Sequence, residues 1–234
     1  MTKLYIIPTP IVEGSTNDIT EYTKFSILPI RHFVVENLRT SRRVLRKYGY
    51  QANFDNEVSF FEYDKHVKNR SLEEIETWFK NGYAIGLMSE AGMPCIADPG
   101  NEVVRLAHVL DINVVVLSGP SSILMALVGS GLNGQNFAFN GYLPINQTER
   151  LLKLKLIEAR VQSENQTQLF METPYRNQGL FELIIKNCSA NLYLGIAANI
   201  GGDPSLIRTK KVEEWRRTAP PQLHKLPTIF SLGL

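Results

Sequence analysis

Residues 89–100 read SEAGMPCIADPG and follow an apolar run, YAIGLM. An ordinary connection between a strand and the next helix needs only about 2–6 residues. This one is about twice that length and holds two glycines, two prolines and a lone cysteine. Such a loop is chosen for backbone shape. At the carboxyl end of a strand it stands where an open α/β sheet holds its ligand. Three further segments carry residues able to do chemistry: PTPI at 8–11, VENLRTSRR at 35–43 and METPYR at 171–176. Taken singly, each has a plain structural reading. A proline-rich loop is stiff, and Asp98-Pro99-Gly100 can simply start a helix. All four fall at or just beyond a strand end, so parallel strands would bring them to one crevice.

Other chemistries find less support. GSGLNG at 129–134 satisfies the G-x-G-x-x-G spacing, but a helix precedes it and a strand follows, the reverse of a dinucleotide fingerprint. It reads as a helix C-cap and turn. The first strand is followed by PTPIVEG, with prolines in place of a glycine loop, which disfavours an ordinary Rossmann site. His32, His66, His108 and His224 share no ligand spacing, so no metal centre is expected. The chain contains neither a G-x-S-x-G elbow nor a P-loop.

The elements that must position these segments alternate. Strand-like runs at 4–7, 33–35, 58–61, 83–88 and 113–117 are separated by helical patterns at 40–48, 71–81 and 101–110. Ser71-Leu72-Glu73-Glu74 has capping-box spacing, with Ile75, Trp78 and Phe79 on one face. In the following helix Val104, Leu106, Ala107 and Leu110 are expected to meet a core. This alternation indicates an α/β domain with a largely parallel sheet. After Ser118-Gly119-Pro120 come helices at 122–128, 149–160, 176–186 and 212–217, with strands at 137–139, 168–171, 192–197, 206–209 and 228–232. The clustered strands suggest a mixed sheet in a second α/β domain. The division is expected at residues 1–118 and 119–234.

With 234 residues, 44% of them hydrophobic, the chain can bury one large core or two small ones. Its net charge of +2 gives no strong pull towards a polyanion. Two widely separated cysteines, the absence of a signal-like start and the lack of a long apolar run make a cytoplasmic protein without a membrane span the expectation.

LYIIPTPI, FVVENLRTSRRVLRKYG, GLMSEAGMPCIADPG, LSGPSSILMAL, FNGYLP and LFMETPYR occur in this order and resemble the S-adenosylmethionine-dependent methylases of the tetrapyrrole methylase superfamily. The likeness is greatest to the branch called ribosomal RNA small subunit methyltransferase I. It runs from residue 3 to about residue 186 and continues more weakly to the end. It implies two α/β domains with the cofactor in the cleft between them, a homodimer, and methylation of a ribose 2′-hydroxyl in small-subunit ribosomal RNA. Carried over by position, Pro10, Glu90, Met93, Ser121, Ser122, Met171, Ala198 and Thr228 would lie against S-adenosylmethionine. Gly92 and Pro94 would let backbone approach it closely.

Methyl transfer from a sulfonium needs chiefly alignment and the exclusion of water. A 2′-hydroxyl would also gain from a base. Glu36 is the candidate, with Arg39 holding a phosphate or the carboxylate; an ion pair at a helix start is the alternative reading of both. Arg42, Arg43, Arg46 and Lys47 form a basic face that could follow RNA backbone or could simply be solvated. The chain departs from the family pattern at Asn37 (usually Asp), at Glu90 and Met93 (Asp and Thr), at Thr173 and Tyr175 (Ser and His), and at Ala198–Gly202, where two charges are missing. Two alternatives therefore stand beside the RNA reading. One is a methylase of a small molecule such as a tetrapyrrole; the other is a cofactor-binding paralogue without catalysis.

Overall fold

Short, largely apolar runs, most of them rich in β-branched or aromatic residues, form the strands of the first unit. The computed structural model describes residues 2–63 and 71–234, so His66 lies outside the described residues. The chain divides into two units, one ending at Ser121 and the other running from Ser122 to Leu234. In the first, the order is β1 (Lys3–Ile7), α1 (Glu21–Ile27), β2 (His32–Val35), α2 (Leu38–Lys47), β3 (Ser59–Glu62), α3 (Glu73–Lys80), β4 (Ile85–Met88), α4 (Asn101–Val109) and β5 (Asn113–Val116). The sheet order is β3-β2-β4-β1-β5 and every neighbouring pair is parallel.

Alternation along each strand feeds two layers. Ile7, Phe33, Val35 and Met88 join α1 and α2 residues in one core, whereas Leu4, Ile6, Val34, Ile85 and Leu87 join α3 and α4 residues in the other. Fully burying a side chain such as Phe33 contributes about 1.5–3 kcal/mol. Right-handed crossovers explain the split. The chain leaves β1 towards β2 on one side and leaves its neighbour β4 towards β5 on the other. The loops after β1 and β4 therefore part at a topological switch point, where open α/β sheets hold ligands.

The second unit contains α5 (Ser122–Ser130), β6 (Phe137–Tyr142), α6 (Gln147–Glu164), β7 (Thr167–Met171), α7 (Asn177–Asn187), β8 (Tyr193–Ala198), β9 (Leu206–Lys211), α8 (Val212–Arg217) and β10 (Thr228–Gly233). Its sheet order is β6-β7-β10-β8-β9, with β6 and β7 parallel and the other pairs antiparallel. Phe170, Ile196 and Phe230 face α6, α7 and α8, while Leu169, Ala197 and Ile229 face α5. The mixed sheet is as expected from the clustered strands.

Some local expectations need correction. The helix after Ser71 begins at Glu73, its N-cap is Leu72, and no side chain caps it. Ser71 Oγ instead accepts from Glu73 N at 3.2 Å, so the capping box does not form. The strand expected from Tyr83 begins at Ile85, whose partner across the sheet is His32, the first residue of β2; the Tyr83 ring stacks on His32 at 4.2 Å. In α4 the fully buried side chains are Val103 and Ala107; Val104, Leu106 and Leu110 pack only partly. One helix, α1, is absent from the sequence reading. The 129–134 segment does form a turn, with α5 ending at Ser130 and Gly131 at φ +69.

Candidate functional site

In the first unit the loops after β1 and β4 are tied together. Thr9 N donates to Gly92 O at 2.8 Å and Gly92 N donates to Thr9 O at 2.9 Å. The buried Thr9 hydroxyl adds a bond to Ser89 O at 2.8 Å. Gly92 has φ +72, a conformation most side chains resist, and both its polar groups are engaged by Thr9. Glycine at this position thus joins two loops. Tyr48, from the end of α2, donates through Oη to Pro8 O at 2.8 Å. Burial, with help from the charge of Asp18, raises its pKa well above the ordinary phenol value, so it stays a neutral donor. Gly119 brings the chain against the same point, since a Cβ there would stand 2.0 Å from Pro8 Cβ.

Glu36 follows β2 directly and is buried, and its carboxylate accepts from Glu90 N at 3.1 Å. It thereby fixes the start of the long loop. Asn37 is the N-cap of α2, accepting from Thr40 N at 3.0 Å. The residue that departs from the family acid thus has a structural task at this helix. Glu62, at the end of β3, accepts from Leu38 N at 2.9 Å. In the long loop Cys95 and Ala97 take left-handed φ values of 69 and 64, which is unusual for non-glycine residues. Burial, with Asp98 adding to it, pushes the Cys95 thiol up to about 11. It is protonated at neutral pH and is no ready nucleophile.

A cavity of about 510 Å³ opens at these strand ends. Pro10 and Glu90 line it together with Arg39, Arg43 and Lys47 of α2 and with Glu13. Arg43 forms an ion pair with Glu13. Met93 points elsewhere and packs partly against the core that holds α3 and α4. Arg42 and Arg46 leave the cavity side. Their guanidinium carbons lie 5.5 and 3.9 Å from the Phe54 ring centre, and Arg42 pairs with Asp55 at 3.3 Å. The four-residue basic face expected from sequence is therefore divided. Glu13 and Gly14, which complete the cavity beyond the PTPI segment, carry no motif by which sequence reasoning would have found them. The recurrence of Arg39, Arg43 and Lys47 at four-residue spacing was the available signal.

In the second unit Met171, Ala198 and Thr228 meet at one end of the sheet, where Thr228 pairs with Ala198 and Ile229 with Met171. Their side chains divide between the faces. Met171 packs on the α5 side and Ala198 on the opposite side. Thr228 shares the Ala198 side by strand alternation with Phe230. Ser122 opens α5 on the Met171 side, and Ser121 closes the first unit as a buried hydroxyl. Glu172 is buried beside this edge, accepting from Thr173 N at 2.8 Å and from Arg176 at 2.6 Å, with Arg150 at 3.8 Å. The METPYR segment thereby ties β7 to α6 and α7. Ala198 to Gly202 forms a turn in which Asn199, at φ 51, donates to Pro204 O at 2.7 Å.

No protein-family profile matches the chain. Among curated proteins, the "Ribosomal RNA small subunit methyltransferase I" of Escherichia coli O157:H7 is 31% identical over 198 residues, covering 85% of this chain and 65% of that protein. The protein of the same name from Bacillus subtilis (strain 168) is 32% identical over 176 residues, covering 75% and 56%. The chain thus spans less than two thirds of the length of the curated relatives it matches. Among solved structures, the methyltransferase CobJ has a TM-score of 0.64 at 11% identity, covering 100% of this chain and 94% of that one. The uroporphyrin-III-C-methyltransferase from Thermus thermophilus has a TM-score of 0.55 at 16% identity over the same shares.

Proposed function

This chain is a homologue of the ribosomal RNA small subunit methyltransferases I and has the fold of the tetrapyrrole methylases; from that premise we propose that it transfers a methyl group from S-adenosylmethionine to a ribose 2′-hydroxyl of small-subunit ribosomal RNA. One observation carries the choice of acceptor. Identity to the proteins named for ribosomal RNA reaches 31% over 85% of the chain, whereas the solved methyltransferases share its fold at 11 and 16%. A cytoplasmic site of action and a homodimer belong to the same reading.

Most of the residue types inferred for the site are ones such a cofactor calls for. Carboxylate, hydroxyl and thioether groups (Glu90, Ser121, Ser122, Thr228 and Met171) suit a nucleoside with a zwitterionic tail. Pro10 and Ala198 complete the set inferred for it by position, while Met93 leaves it, because its side chain packs towards α3 and α4. When bound, S-adenosylmethionine supplies a methyl group already activated by its sulfonium. The chain's own residues then have to align the acceptor and keep water out. Glu36 holds Glu90 N and so fixes the loop from which the Glu90 carboxylate projects. In this reading the Glu36 carboxylate also takes the hydrogen bond of the ribose hydroxyl, and Arg39 holds the neighbouring phosphate.

The test is label transfer from methyl-tritiated S-adenosylmethionine to small ribosomal subunits that lack the modification, with large subunits, transfer RNA and a uroporphyrinogen as competitors for the label. Label in a nuclease-resistant 2′-O-methyl dinucleotide of small-subunit RNA is expected. Label in the uroporphyrinogen alone, or none from protein that binds the cofactor, overturns the reading. Glu36→Gln retains an acceptor for Glu90 N but removes the base. It is expected to lower turnover by about 10²-fold with little change in cofactor affinity. Full turnover in that variant would remove Glu36 from the chemistry.

A further inference from the structure

The way a polyanion would be gripped follows from α2. At a rise of 1.5 Å per residue, Arg39, Arg43 and Lys47 stand about 6 Å apart in steps along one helix face. All three line the cavity at the strand ends, while Arg42 and Arg46 are engaged with Asp55 and the rings of Phe54 and Phe60 on the other side. Among the described residues only Arg43 of the three has an ionic partner, Glu13. Lys47 is held close to the loop after β1, since a Cβ on Gly14 would lie 3.2 Å from its Nζ. The first turn of α2 contains no acidic residue, so the positive end of the helix dipole reinforces Arg39.

We propose that Arg39, Arg43 and Lys47 form a track for successive phosphodiesters of an RNA strand, and that Glu13 is its resident counter-ion, displaced from Arg43 when a phosphate arrives. Three cations spread over two helical turns exceed what one phosphate can touch, whereas an extended strand offers a phosphate at a comparable step. The Glu13 side chain is 77% exposed, and an ion pair so open to water is weakly held. A phosphodiester carries the same single negative charge as the Glu13 carboxylate and offers the Arg43 fork two oxygens for a bidentate contact. Glu13 thereby keeps stray anions from the cavity while yielding to a ligand that engages all three cations at once. The inference rests on RNA being the acceptor.

The full chain is titrated against a fluorescein-labelled single-stranded RNA of mixed sequence, without cofactor, over a series of salt concentrations. Arg39→Gln, Arg43→Gln and Lys47→Gln should each reduce the slope of log affinity against log salt by about 0.7. Lys80→Gln, on α3, should leave it unchanged, and Glu13→Gln should tighten binding by up to about fivefold. Equal slopes in the three variants and the native protein overturn the track, as does an equal loss from Lys80→Gln. Weaker binding by Glu13→Gln overturns the counter-ion role. Inorganic phosphate competing as well as an RNA tetranucleotide, phosphate for phosphate, would make the cavity a single-anion site and reject the track. Native protein that methylates RNA while the variants bind unchanged rejects the track alone. Native protein that neither binds nor methylates RNA rejects the proposed function with it.

Discussion

Asn37 shows how one side chain can satisfy two demands. A base is no longer possible where the family carries an acid, but the amide oxygen caps α2 by accepting from Thr40 N at 3.0 Å. Asn and Asp are both good N-caps, and Ala is a poor one. Asn37→Ala should therefore lower stability by about 1 kcal/mol in urea denaturation, while Asn37→Asp should leave it unchanged or slightly raised, since a negative charge suits a helix N-terminus. An equal loss from both substitutions would show that the cap bond is not what Asn37 contributes. At this scale the site was partly legible. Glu36, Arg39, Pro10 and Glu90 could be picked from their places beside strand ends, and the structure sets Pro10, Arg39 and Glu90 around one cavity. The direction of Met93 was not legible, because which way a loop residue turns depends on the α3 and α4 residues that receive it.

At the scale of elements, the strands could be read because most are short, largely apolar runs, often rich in β-branched or aromatic residues, with turn-forming residues beside them. Helix α1 could not. Its sequence EYTKFSI buries only Thr23 and Ile27 and turns Tyr22 and Phe25 outward, so no apolar stripe announces it. The division of the basic residues of α2 was equally hidden. It depends on Phe54 and Phe60, which reach the helix only once β3 is in place. The meeting of the loop after β1 with the chain after β5 is the tightest contact of this kind. A methyl group on Gly119 would stand 2.0 Å from Pro8 Cβ, a separation that no rotamer change can relieve. Gly119→Ala should cost about 1–3 kcal/mol by thermal or urea unfolding. A neutral outcome would mean that Pro8 shifts freely.

The whole molecule comprises two units, each with its own sheet, its own cores and one buried tryptophan, Trp78 in the first and Trp215 in the second. Replacing either by Phe leaves the other as a private reporter. In a Trp78→Phe background, truncating the fully buried Phe170 to Ala should shift the Trp215 transition by about 3–5 kcal/mol. The same truncation read through Trp78, in a Trp215→Phe background, should move the transition less. Equal shifts at both reporters would show that the two cores unfold as a single cooperative unit. The fold class was legible because strand and helix patterns alternate in the first half and strands cluster in the second. Strand order was not legible, because pairing partners such as β10 with β7 and β8 are distant in sequence.

The reciprocal bonds between Thr9 and Gly92 make the loops after β1 and β4 one mechanical body. Their two amide hydrogens should therefore exchange with solvent deuterium at a common rate, in one opening event, although the residues lie far apart along the chain. Whatever loosens one loop will register in the isotope content of the other.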